Sequence, residues 1–274
     1  MKNLYWTLLT SEEHKKLEEI VEATVGFSLR NNKKDFIENL LIKRFSELQV
    51  SNFDSYYKIL KSNRKEFSFL INKITNVSTY FFREKHHFEY LSTHVLPNLI
   101  ASEKKIRLWS AGCSTGEEPY SIAMMLFGSI ADISQYDIKI LATDVNTVAL
   151  EIAKMGLYNE DQYIEKIDQY KKFFHIVPEN GVNKIQMDNS LKKIISFNYL
   201  NLLDSSWPMS NLFDVIFCRN VIIYLKPEVT RKLFEKFDRL LKVGGILALG
   251  HSENLNQFQD RYISLGKTLY QKIG

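Results

Sequence analysis

The stretch Trp109-Ser-Ala-Gly-Cys-Ser-Thr-Gly-Glu-Glu-Pro-Tyr120 restricts this chain more than any other. An apolar strand pattern, Ile106 to Trp109, runs into a turn of small residues, and a helix pattern begins near Glu118. Gly112, Ser114 and Gly116 leave room for a ligand to approach the backbone closely. Strand, tight turn and helix N-terminus together make the nucleotide-binding corner of an open α/β sheet. Glu117 and Glu118 follow the last glycine and would repel a phosphate. The corner is therefore expected to hold a ligand that is positive at that point.

The rest of the chain supports such a sheet. Short β-branched runs at Ile106–Trp109, Ile138–Ala142, Ile194–Tyr199, Phe213–Cys218 and Gly245–Leu249 alternate with helical stretches, which predicts parallel strands joined by crossover helices. Arg261–Leu265 and Lys267–Lys272, joined by Gly266, read as a hairpin that gives the sheet an antiparallel edge. Phe173–Val177, a Pro178-to-Gly181 turn and Asn183–Met187 read as a small β insertion at about 170–193.

Residues 1–80 differ. Thr10 with Glu13 is a capping-box pattern, Leu17, Ile20, Val21 and Val25 recur at helical spacing, and Gly26 ends the helix. Further helices are expected at Lys33–Leu48, with Phe36, Leu40, Leu41 and Phe45 on one face, at Phe53–Lys61 and at Arg64–Ile74. This part carries 13 Lys and Arg against 10 Asp and Glu, most of the chain's net charge of +4. Arg30, Lys33, Lys34, Lys43 and Arg44 would form either a solvated helix face or a surface for an acidic partner. The division expected is a helical domain, 1–80, and a sheet domain, 81–274.

With 274 residues, 45% hydrophobic and 25% charged, the composition is that of a globular protein, and its charge is too weak to argue for nucleic acid. Two cysteines, Cys113 and Cys218, give no disulfide framework, and no apolar run reaches transmembrane length. No secretion signal is evident at Met1-Lys-Asn-Leu-Tyr-Trp. A reduced, cytoplasmic protein is the expectation.

Candidate site residues collect at strand ends. Asp144 ends the second strand and would accept the two hydroxyls of a ribose, or equally cap the helix that follows. Asn201-Leu202 and Arg219-Asn220 end the third and fourth strands, where ligands of open α/β sheets bind. Gly112, Ser114 and Gly116 also fit the G-x-S-x-G elbow of a serine hydrolase, with Asp214 and His251 to complete a triad. The helical upstream region and the two glutamates beside the developing oxyanion oppose that reading. Adjacent His86 and His87 point in different directions on a helix and suggest no metal site.

Taken together, S-T-Y-F-F-R-E-K-H-H-F (78–88), W-S-A-G-C-S-T-G-E-E-P-Y-S-I-A (109–123), A-T-D (142–144), N-L-L (201–203), F-D-V-I-F-C-R-N-V-I-I-Y (213–224) and G-H-S-E-N (250–254) resemble the CheR family. These are the S-adenosylmethionine-dependent methyltransferases of bacterial chemoreceptors. The resemblance implies an all-α N-terminal domain. It also implies a Rossmann-like class I methyltransferase domain with a mostly parallel seven-stranded sheet, an antiparallel edge hairpin and the inserted β subdomain. It further implies methylation of glutamate side chains on a chemoreceptor's acidic cytoplasmic helices, with the receptor's tail bound by the β subdomain, by a monomeric enzyme. The implied cofactor contacts are Asn76, Thr79, Arg83, Glu117, Glu118, Asp144, Asn201, Leu202, Arg219 and Asn220. Asn76 stands one residue off the family's N-x-T-x-x-x-R spacing. Arg83 and Tyr224 are the implied residues at the reacting centre, and no metal is implied.

Overall fold

A computed structural model describes residues 9–26, 28–29, 34–75, 78–255 and 260–274. Four helices come first: α1 (Ser11–Val25), α2 (Lys34–Leu48), α3 (Phe53–Ser62) and α4 (Arg64–Ile74). The capping box forms as expected, with the Glu13 N–H donating to Thr10 Oγ1 at 3.2 Å and the Thr10 N–H to the Glu13 carboxylate at 2.7 Å. Gly26 ends α1 in the left-handed region. Leu17, Val21, Ile37, Leu41, Phe45, Tyr56 and Leu70 form the buried interior of these helices. Leu40, Leu41 and Phe45 of the expected α2 face pack inward, but at its start Ile37 is buried and Phe36 is 48% exposed. Arg30 and Lys33 of the expected basic face lie outside the described residues. Arg44 is committed inward, donating from Nε to the buried Glu66 at 2.9 Å, while the Tyr56 hydroxyl donates to the same carboxylate. Lys43 stays exposed.

Helices α5 (His86–Tyr90) and α6 (Leu96–Ser102), linked by a π-turn, lead into the sheet. Then follow β1 (Lys105–Ala111), α7 (Glu117–Ser129), β2 (Asp137–Asp144) and α8 (Thr147–Met155). The insertion holds β3 (Leu157–Asn159), α9 (Glu160–Ile167), β4 (Phe174–Glu179) and β5 (Val182–Met187). The chain finishes with α10 (Asn189–Ile194), β6 (Ile195–Tyr199), β7 (Phe213–Cys218), α11 (Pro227–Leu240), β8 (Leu241–Leu249), β9 (Tyr262–Gly266) and β10 (Leu269–Lys272).

The large sheet runs β6-β2-β1-β7-β8-β10-β9, parallel except where β10 pairs antiparallel with β8 and β9. A second sheet, β3-β5-β4, is antiparallel. Its strand β3 has no counterpart in the sequence reading, because three residues give no periodic signal. Its Tyr158 is buried edge-on against Phe81. Strand β7 is buried at every position, as a central parallel strand between two helical layers must be. Strand order reverses between β1 and β7, so a crevice opens above the carboxyl ends of these strands.

Candidate active site

The crevice is a cleft of about 1040 Å³, open mouth included. Its walls include Thr79, Arg83, Glu118, Asp144, Asn201, Leu202, Arg219, Asn220 and Tyr224. Segments more than 140 residues apart in sequence thus meet at one crest. Asn76 lies outside the described residues.

At the end of β1, Gly112 and Gly116 take φ of 94° and 98°. Their smallness serves the protein more than a ligand. A Cβ on Gly112 would lie 2.4 Å from Val221 Cγ2, and one on Gly116 would lie 2.7 Å from Ala153 Cβ. The turn is therefore clamped between the β7 loop and α8.

The two glutamates after this turn separate. Glu117 does not face the cleft, contrary to the sequence expectation. It is 1% exposed, and its carboxylate accepts from Thr115 Oγ1 at 2.6 Å and from the Tyr163 hydroxyl at 2.9 Å. Burial pushes its carboxyl above the ordinary range, with those donors pulling it back. One residue on, a helix turns by about 100°, which swings Glu118 into the crevice. Glu118 accepts from Ser110 Oγ and from Arg219 Nε, both at 2.6 Å.

Arg219 lines the cleft, but its guanidinium is turned into the protein. Its side chain is 2% exposed. Beyond Glu118 it donates from Nη1 to the Arg83 carbonyl at 2.5 Å and lies 3.5 Å from Glu84 Oε2. It also lies over the rings of Phe88 and Phe217. His87, fully buried, stands 3.3 Å from it through Nδ1, while Nε2 lies 2.8 Å from the Lys267 carbonyl. Nε2–H then donates to Lys267 and Nδ1 accepts from Arg219. Burial first, and the Arg219 charge second, lower the His87 pKa to about 4.

Asp144 is not the cap of α8, a role that falls to Asn146, whose side chain accepts from the Ala149 N–H. Asp144 instead accepts the N–H of Ser114 at 2.7 Å on one oxygen and that of Asn146 at 2.8 Å on the other. Each oxygen keeps a lone pair for a further donor. Burial raises its carboxyl, against the pull of these N–H groups.

The helical domain closes one side. Asn201 Nδ2 donates to the Thr24 carbonyl at 2.6 Å and its Oδ1 accepts from the Leu203 N–H. The Ser28 N–H donates to the Tyr224 carbonyl, and Lys226 pairs with Glu22. Val25, Thr75, Val145, Leu203 and Leu225 are among the further wall residues that the sequence does not single out for the site. Thr75 and Val25 sit at helix C-termini, and only the docking of the two domains brings them here. Arg83 is half-buried, donates from Nη1 to the Ser78 carbonyl at 3.0 Å, and lies 5.8 Å from the Tyr80 ring.

The hydrolase triad is excluded by placement. Asp214 sits at the start of β7, the opposite end of the sheet from Ser114, and is held by the Arg107 N–H and by Lys242. His251 is exposed, and its N–H donates to Glu84, which is not among the cleft-lining residues. Cys113 and Cys218 are both free and buried. Among the described residues, no group of three or more His, Cys, Asp or Glu could hold a metal ion, and no helix is long and apolar enough to cross a membrane.

Comparison with known proteins meets this geometry. Residues 12–75 match the all-alpha domain of CheR methyltransferase, and residues 77–271 match its SAM (S-adenosylmethionine) binding domain. A probable chemotaxis protein methyltransferase of Rhizobium etli is 36% identical over 92% of this chain and 96% of its own length. The chemotaxis protein methyltransferase of Borreliella burgdorferi is 38% identical over 90% of this chain and 89% of its own. That of Escherichia coli is 33% identical over 96% and 92%. A crest to which Glu118 and Asp144 bring carboxylates suits a sulfonium cofactor. The chain belongs to the CheR methyltransferase family, with S-adenosylmethionine as its methyl donor.

Proposed function

We propose that this protein transfers a methyl group to glutamate carboxylates on the cytoplasmic helices of chemoreceptors, forming the methyl esters that set chemotactic adaptation. The make-up of the cleft carries the reading. The acceptors Glu118 and Asp144 and the donor Arg83 line one space, and no histidine or lysine lines it among the described residues. A glutamate carboxylate, with a reference pKa of about 4.3, is ionised at neutral pH. It attacks a methyl carbon without a general base.

The bound cofactor supplies that carbon, made electrophilic by its sulfonium sulfur. Asp144 would hold the ribose hydroxyls with its remaining lone pairs, and Glu118 would face the ammonium end. Leu202 and Leu203 offer apolar surface to the purine. Arg83 keeps guanidinium donors beyond its bond to Ser78 and would orient the incoming carboxylate, with Tyr224 lining the same space. Catalysis rests on alignment and on exclusion of water by the helical domain. The outer strand β4 offers a free edge to an extended receptor tail. The enzyme acts as a monomer in the cytoplasm.

The test is release of base-labile methanol from receptor incubated with methyl-labelled S-adenosylmethionine. Wild type should yield it, and Arg83→Ala should yield about 10- to 100-fold less, the equivalent of one charged hydrogen bond. If no receptor gives a methyl ester, the reading fails. Undiminished turnover in the variant removes Arg83 from the mechanism.

A further inference from the structure

Glu253 lies outside the cleft lining and is 4% exposed. Among the described residues its carboxylate has no cationic partner within salt-bridge distance. It accepts four backbone N–H groups instead. Oε2 takes Gly250 at 2.6 Å and Asn220 at 2.9 Å, while Oε1 takes Ile222 at 2.9 Å and Ile223 at 3.3 Å. Gly250 follows β8, and the other three belong to the loop after β7.

That loop forms a large part of the cleft wall, carrying Arg219, Asn220, Val221, Tyr224 and Leu225. Its path is an unfavourable one. Asn220 holds φ at +58°, a left-handed conformation that an L-residue adopts at a cost. The Ile222 and Ile223 N–H groups begin a short 3-10 turn, Ile222–Tyr224, and have no carbonyl of that turn to bond. One carboxylate satisfies these donors together, and a charged acceptor bonds N–H groups more strongly than a neutral one. Gly250 is packed against the same anchor: a Cβ there would lie 2.7 Å from the Asn220 nitrogen and from Glu253 Oε2.

We propose that Glu253 is a positioning residue for methyl transfer: by tying the ends of β7 and β8 to one buried carboxylate, it fixes Asn220 and Tyr224 against the cofactor space. The proposal rests on the reading that those two residues face cofactor and acceptor.

Glu253→Gln keeps the volume but turns an amide NH2 toward two N–H groups. Titration calorimetry with S-adenosylhomocysteine should show its Kd rising at least tenfold. In the methylation assay the KM for S-adenosylmethionine should rise or kcat fall, with the KM for receptor unchanged. Glu253→Asp, which keeps the charge, should restore part of the loss. Gly250→Ala, which pushes on the same contact without removing the carboxylate, should weaken binding in the same direction. Ile138→Ala, at the opposite end of the sheet, serves as the stability control. The proposal is overturned if Glu253→Gln and Gly250→Ala bind S-adenosylhomocysteine within twofold of wild type. It is equally overturned if Glu253→Gln weakens binding no more than Ile138→Ala at the same loss in Tm. Calorimetry needs no receptor, so this failure is distinct from a failure to find methyl esters.

Discussion

The helical domain and the crest of the sheet are built by different means. Between residues 9 and 75, the described chain is four helices with apolar faces turned inward, and its only non-glycine residue at positive φ is Gln49, just past α2. At the crest, Phe82, Glu84, Ser114 and Asn220 all hold positive φ. Each such residue costs about 1–3 kcal/mol. The crest also buries Arg219 with Glu118 beside it, and Glu253 beneath the β7 loop. Apolar packing tolerates error, whereas strained backbone and buried charge persist only where neighbours over-determine them. The first region is held mainly by tolerant apolar packing, the second by charges and backbone that must fit together.

The largest break in this comparison should come from Arg219→Leu. Glu118 and Glu84 would be left without their buried counter-charge, a loss of about 3–5 kcal/mol by urea denaturation. Adding Glu118→Gln should recover much of the stability without recovering S-adenosylhomocysteine binding. A cost under about 1 kcal/mol for Arg219→Leu alone would mean the crest is not held by this charge network.

Acid should act on the same network. His87 has a folded pKa of about 4, below the 6.5 of an unburied ring. Its contribution to stability is therefore whole above pH 6.5 and is lost as pH falls toward 4, because only the unfolded ring takes up the proton in that window. The loss amounts to about 3 kcal/mol. Arg219, Glu84 and His86 are the charged or titratable groups around the ring. A stability curve flat between pH 6.5 and 4.5 would contradict this.

Smaller effects belong to the helical domain. Thr10→Ala should cost about 1 kcal/mol through loss of the α1 cap, with the Kd for S-adenosylhomocysteine unchanged. Weakened cofactor binding would show that the domains are coupled more tightly than the contrast allows. Smallest of all, Lys43→Glu should slow receptor methylation by about 2- to 5-fold at low salt and leave cofactor binding alone. The difference should vanish at high salt. No change at low salt would remove this face from receptor docking.

Legibility followed the same division. Thr10 with Glu13, the period of α1, and Gly26 specified one helix within 18 residues, and the structure repeats that reading. The strands of the large sheet were found within a few residues for the same reason. Strand β3 is too short to leave a period, and at the start of α2 Phe36 and Ile37 both suit an apolar stripe, of which the structure buries Ile37. At the crest, residue types were readable but roles were not. Glu117 and Glu118 are identical in sequence terms, yet one residue of helical rotation buries the first against Tyr163 and aims the second at the cleft.

By itself, then, the sequence determined the order and kind of elements, the small-residue turn and the carboxylates placed at strand ends, because each depends on neighbours within a turn or two. Only the tertiary structure decided that Arg219 neutralises Glu118, that Asp144 is no helix cap, and that Glu253 gathers three N–H groups of the β7 loop besides that of Gly250. Those outcomes depend on which groups lose water together. That depends chiefly on segments 30 to 101 residues apart, which no period of a helix or strand encodes.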